Sequence, residues 1–146
     1  YLDFVLHFMA TTDMVVHLTG AGAQGTQVSS PTPGLPGAMR ISFTAEETSV
    51  YSPGMGGSSR PGYGGKVFGL GAEGIRYDES NALFTLKAGV DKPVAVRIWL
   101  EGTDESCTDR LRGAEYSIRL RFVGTDEDGN VLEDSRNTSR RAGNTT

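Results

Sequence analysis

The stretch Pro93–Phe122, PVAVRIWLEGTDESCTDRLRGAEYSIRLRF, decides the fold, because it carries the two cleanest period-two runs in the chain. In the first, Val94, Val96, Ile98 and Leu100 alternate with Ala95, Arg97 and Trp99. In the second, Ala114, Tyr116, Ile118, Leu120 and Phe122 alternate with Glu115, Ser117, Arg119 and Arg121. Successive side chains of a strand point to opposite faces, so each run reads as a strand with one face in a core and the other in water. The two are expected to pair with each other across the acidic connection EGTDESCTDR, which begins at Glu101 and holds the one cysteine, Cys107.

Working outward toward the N-terminus, Ala82 to Leu86 (ALFTL) and Val67 to Leu70 read as short strands, and Val50 with Tyr51 as another. AMRISFT, residues 38–44, turns Met39, Ile41 and Phe43 inward and leaves Arg40, Ser42 and Thr44 outward. The opening residues place Leu2, Phe4, Leu6 and Phe8 on one face and Asp3, Val5 and His7 on the other. Thr11 to Asp13 then turns the chain, and Met14, Val16 and Leu18 resume the alternation, the mark of a hairpin. A strand that starts at the first residues is expected to leave an open sheet edge, and open edges invite another chain. Thr19 to Gly37 and Ser52 to Gly65 are rich in Gly, Pro and Ser and read as long surface loops.

Beyond Phe122, GTDEDGN reads as a tight turn built on Asp128-Gly129, leading to a short strand at Val131 and Leu132. The fold expected is therefore all-β, an antiparallel β-sandwich or jelly roll of about eight strands with long Gly/Pro-rich loops. Residues 1–134 form its single domain, and residues 135–146 a polar C-terminal tail.

Composition narrows the function classes. A chain of 146 residues is long enough to bury a core without metal or disulfide staples. Its 20 glycines and 6 prolines favour turns over helices. A net charge of -4 and only three lysines, Lys66, Lys87 and Lys92, argue against a nucleic-acid partner, which calls for a basic face. No run is apolar enough for a membrane helix, and no signal-peptide pattern opens the chain at Tyr1. Cys107 stands alone, so it is a free thiol or one half of an intermolecular bridge.

Each candidate site has a plainer reading beside it. In a hairpin about residues 11–13, His7 and His17 would face each other across two strands, yet two ligands do not close a metal site, and a pair of half-exposed neighbours is the preferred reading. Asp126, Asp128 and Asn130 recur like the start of a calcium loop, but the glycine spacing is wrong and no closing glutamate follows, so a hairpin turn is preferred. Glu101, Asp104, Glu105 and Asp109 form a second acidic cluster.

Cys107 lacks a recognisable catalytic context, and Ser117 lies on a strand, not in a nucleophile elbow, so the chain reads as a non-enzyme without cofactor. Trp99 and Tyr63 are the residues a sugar-binding surface would use, although covered aromatic residues are commoner. Asn137 and Asn144 head Asn-x-Ser/Thr glycosylation acceptors.

Three segments also resemble a known family, the last of them a pair of runs. YLDFVLHFMATTDMVVHLTG at residues 1–20 resembles the first hairpin of the secreted bacterial TasA/camelysin group, exported with SipW-type signal peptides, and AMRISF resembles its next strand. VAVRIWLEGTDESCTD followed by GAEYSIRLRF resembles its closing pair, in which the Trp-Leu-Glu-Gly step and the Asp-x-x-Cys-Thr turn occur together. The Gly/Pro-rich stretches between these segments do not follow the pattern. The resemblance implies a jelly-roll subunit, secreted or displayed at the cell surface, that polymerises with itself into filaments or biofilm-matrix fibres. In that arrangement Leu2, Phe4, Leu6 and Phe8 fill an acceptor groove on the next subunit while the backbone completes its sheet. The alternative function is a carbohydrate- or ligand-binding β-sandwich module at the cell surface, with glycans as partners.

Overall fold

The computed structural model describes residues 1–22, 24–71, 75–102 and 114–132, and in them the chain is all-β. The larger sheet has six strands, in the order β1 (Leu2–Phe8), β9 (Lys92–Leu100), β4 (Met39–Thr44), β5 (Thr48–Tyr51), β7 (Gly65–Phe68) and β6 (Ser59–Gly62). A smaller sheet runs β11 (Phe122–Thr125), β2 (Met14–Leu18), β8 (Ala82–Leu86). A two-stranded ribbon joins β10 (Ser117–Arg119) to β3 (Gln27–Ser29). All pairings are antiparallel except that of β5 with β7.

The alternation read in β9 is realised: Val94, Val96 and Ile98 are buried while Ala95 and Arg97 are exposed. Those inward side chains meet the inward faces of β1 and β4, and the smaller sheet supplies the other half of the core. Phe8 of β1 lies 4.9 Å from Phe84 of β8 and 5.0 Å from Phe122 of β11, ring centre to ring centre. Phe43 of β4 meets Phe122 edge-on at 6.0 Å. Such tilted and T-shaped contacts suit the ring quadrupoles and add to the apolar burial that holds the two sheets together.

Four sequence expectations are corrected. The two runs of residues 94–122 do not pair with each other: β9 lies between β1 and β4, whereas β10 pairs with β3 and β11 with β2. Nor do β1 and β2 form a hairpin. Tight hairpin turns need positive φ, and no residue of the Met9–Asp13 connection has it. The connection instead crosses from one sheet to the other, with Ala10 buried and its carbonyl accepting the Gly89 N–H at 2.8 Å. Asp13 Oδ1 accepts the Ala88 N–H at 2.8 Å on the same side.

Residues 19–37 are not a bare surface loop, because they contain β3, the buried Thr26 and most of helix α1 (Leu35–Ala38). Leu35 and Ala38 are anchors that enter the core from a Gly/Pro setting without any apolar period. The described residues also hold eleven strands, more than the eight expected, because β3, β6 and β10 are short and lack alternation.

Candidate functional site

The six-stranded sheet has an outer face turned away from the core, and register fixes what it displays. Asp3, Arg97, Ser42 and Val50 stand in one row across β1, β9, β4 and β5. Val5, Ala95, Thr44 and Thr48 form the next row. Small side chains at Ser42, Ala95 and Thr44 leave a depression, a groove of about 940 Å³ with mainly apolar walls. That volume lies at the upper end of the range of small-ligand sites, about 300–1,000 Å³.

One wall is aromatic. Tyr63 sits at the tip of the β6–β7 hairpin, whose Gly62–Gly65 pairing leaves a two-residue turn. Both turn residues have positive φ, 52° at Tyr63 and 79° at Gly64, the pattern of a type I′ turn. Asparagine or glycine is the usual choice at the first position, and a bulky residue there costs on the order of 1–2 kcal/mol.

The tyrosine nevertheless reaches Trp99 of β9, at 5.5 Å between ring centres and 79° between planes. By strand order β9 is three spacings from β7, roughly 14 Å at about 4.8 Å per spacing, so the contact bridges the intervening strands β5 and β4. Glycine at 65 lets the hairpin pack closely against β5, because a Cβ there would lie 1.7 Å from the Thr48 carbonyl oxygen. Arg40, expected in water, is buried in this region, and its guanidinium donates to the carbonyls of Gly37 and Met39 at 2.9 Å each. Ser42, also expected outside, is buried too.

Glu101 holds the aromatic wall in place. Its carboxylate accepts the Tyr63 hydroxyl and, at 3.5 Å, the Trp99 indole N–H. Partial burial and the Glu101 carboxylate together push the Tyr63 phenol above its ordinary pKa, so it stays a donor. With their polar atoms turned to Glu101, the two rings offer carbon faces and edges to the groove. Tyr63 is 46% exposed.

The other wall comes from β1. The Arg97 guanidinium makes a two-pronged pair with Asp3, at 2.7 and 3.2 Å, and lies 5.0 Å over the ring of Tyr1. The pairing holds the guanidinium above its ordinary pKa. Asp3 and Arg97 are the charged side chains that line the groove, and they neutralise each other.

Strand β1 is itself the second candidate element. It bonds to β9 on one side, and no described residue pairs with its other side. The edge is seven residues long without proline. At the opposite edge of the same sheet, β6 carries Arg60 and Pro61, which discourage strand pairing. The four side chains expected to fill a neighbour's groove divide: Leu6 and Phe8 are buried in the core of their own protomer, Phe4 is partly buried, and Leu2 is 49% exposed. As the protomer stands alone, Leu6 and Phe8 are therefore not available to a partner.

The histidines do not meet. His7 is exposed, 2.9 Å from Asp91, while His17 is buried in the smaller sheet. The Asn81 amide donates to the Arg76 carbonyl, so its oxygen faces His17 and accepts the Nδ1–H at 2.8 Å. Nε2 then accepts the Thr125 hydroxyl at 3.0 Å, so both ring nitrogens have structural partners. Burial lowers the His17 pKa below its usual 6.5, against the opposing bond to Asn81.

Asp126 closes a hairpin turn, its Oδ1 accepting the N–H groups of Asp128 and Asn130 at 2.9 Å each. Among the described residues no group of three or more His, Cys, Asp or Glu side chains is arranged to hold a metal. Cys107, Asp104, Glu105, Asp109, Asn137 and Asn144 lie outside the described residues.

Sequence reasoning named Trp99 and Tyr63 separately but missed their joint wall with Glu101 and the opposing Asp3–Arg97 pair. Period-two reading assigns faces and not neighbours, and a Tyr between glycines in Gly62-Tyr63-Gly64 was the one local signal. Compared with protein-family models, with curated proteins and with solved structures, the chain matches none.

Proposed function

We propose that this chain is the protomer of an extracellular filament or matrix fibre of the TasA/camelysin kind, a β-sandwich of jelly-roll type that polymerises by passing β1 from one copy to the next. The observation that carries the reading is the position of β1: an edge strand held in its sheet by β9 alone, tied to the rest through a connection that crosses between sheets. Leu6 and Phe8 occupy core sites that the same residues of a second copy fill equally well. Burial of each contributes about 1.5–3 kcal/mol, so a vacated place strongly favours uptake of an identical strand. Exchange of an identical element makes the same contacts between copies as within one, and concentration then governs assembly. Because each copy gives a strand at one place and receives at another, the contact is head-to-tail and open-ended.

Electron microscopy of the purified chain over a concentration series tests this. Filaments are expected from the full chain and none from a chain lacking residues 1–9. A strictly monomeric full chain at high concentration, or association unchanged by that deletion, would remove the proposal.

A further inference from the structure

We infer that the groove on the outer face of the six-stranded sheet is a binding site for a neutral oligosaccharide. One wall of the groove is β1, so in a fibre built by exchange of β1 that wall comes from the neighbouring copy, and the same groove is present in monomer and fibre.

Three features select this ligand class. The first is the aromatic corner. Trp99 and Tyr63 meet nearly at right angles with their N–H and O–H groups engaged by Glu101. What remains for a ligand is carbon surface, which suits the C–H face of a sugar ring as it suits other flat, half-apolar groups. The second is the floor, where Thr44 and Thr48 carry hydroxyls, joined to each other at 3.0 Å with further lone pairs to spare, beside the small Ala95 and the buried Ser42. Hydroxyls both donate and accept, so they serve a ligand that is itself hydroxylated.

The third is charge. Asp3 and Arg97, the charged side chains of the lining, are spent on each other. A phosphate, sulfate or uronate would have to break that pair to gain a counter-charge, and so would a cationic peptide. A neutral ligand leaves it intact and can bond to its outward atoms.

Shape points the same way. The lining runs across β1, β9, β4 and β5, so the groove is elongated and partly open, a form that takes a short chain of linked rings and not one enclosed molecule. The strained backbone at Tyr63 gives independent support. A half-exposed aromatic residue is kept at a turn position where glycine fits without strain, and its ring stands at the groove wall.

Trp99 is the sole tryptophan, so its fluorescence reports directly on this wall. The experiment titrates the intact chain with a panel of neutral gluco-, manno-, galacto- and N-acetylhexosamine oligosaccharides, beside oligogalacturonate and a sulfated glycan. Emission is followed with calorimetry in parallel. At least one neutral oligosaccharide is expected to shift the emission and bind, with the two anionic glycans weaker.

Trp99→Ala should weaken binding by about tenfold or more. Tyr63→Gly guards against a folding artefact: relief of the positive-φ strain offsets the lost Trp99 contact and Glu101 bond, so the variant should stay cooperatively folded in a thermal melt and still bind more weakly. Absence of binding by every neutral oligosaccharide, preference for the anionic glycans, or unchanged affinity in Tyr63→Gly would each overturn the inference.

Discussion

Phe8, at the end of the edge strand β1, packs edge-on against Phe122 of β11 in the opposite sheet, at 5.0 Å and 77°. The same ring lies 4.9 Å from Phe84. One side chain of the first strand therefore ties the two sheets together. Phe8→Ala removes both aromatic contacts and leaves a cavity where Phe8 was fully enclosed. The expected cost is about 3–5 kcal/mol, read from urea unfolding. Under the assembly proposal the variant also fails to polymerise, since the donated strand loses its main anchor.

His17 gives the fold a pH dependence. Its pKa is lowered in the folded chain, chiefly by burial, with Asn81 and Asp78 opposing and Lys66 adding to the shift. The unfolded chain therefore takes up the proton first as pH falls. The stability contribution is complete above the usual 6.5 and is lost as pH drops from there through the lower folded value. Unfolding free energies from urea titrations at pH 8, 7, 6 and 5 should fall below pH 6.5, by no more than about 1.4 kcal/mol per pH unit. His17→Gln should flatten that limb. The depressed carboxylates among the described residues, Glu46, Asp78 and Asp126, act from the usual carboxylate range downward and leave this window to the histidine.

Gly65 is the tightest backbone approach in the hairpin that carries Tyr63. A methyl group there would overlap the Thr48 carbonyl, so β7 has to move away from β5. Gly65→Ala is expected to cost about 1–3 kcal/mol and to shift Tyr63 from Trp99. A change in Trp99 emission in the folded variant checks the second part.

Val5 lies on the outer face of β1 and is 55% exposed, yet it adjoins the free edge. Val5→Lys should change stability by less than about 0.5 kcal/mol. It places a charge in the groove beside Ala95, its register partner, and should weaken neutral-glycan binding. Calorimetry on the folded variant measures both effects.

Much of the strand content was legible because a buried face leaves a period-two trace. Ala82 to Leu86 coincides with β8, AMRISFT contains all of β4, and the first run of the Pro93–Phe122 stretch is β9. The second run is less regular than its alternation implies. Ile118 belongs to the β10–β3 ribbon and Phe122 to the smaller sheet, with Leu120 and Arg121 between them outside either strand.

Partners were less legible than strands, since alternation says which side chains go inward and not which neighbour they meet. Leu6 and Val16 share the same kind of pattern yet stand in different sheets. Leu35 and Ala38 leave no trace in the sequence pattern, because two anchors in a Gly/Pro setting form no period. The groove was hidden for a related reason: Tyr63 and Trp99 lie in elements three strands apart and meet only in three dimensions, as does the close packing of Gly65 against Thr48.

The exchange of β1 is tested most directly by a cross-strand disulfide. Val5 and Ala95 are register partners on the exposed outer face, and directly opposed positions have the spacing a disulfide needs. Val5→Cys with Ala95→Cys, in a Cys107→Ser background, is oxidised after assembly and run on a non-reducing denaturing gel. Strand exchange predicts a ladder of covalent oligomers that collapses to monomer on reduction. Disulfide-bonded monomer alone, from material that microscopy shows to be assembled, would contradict it.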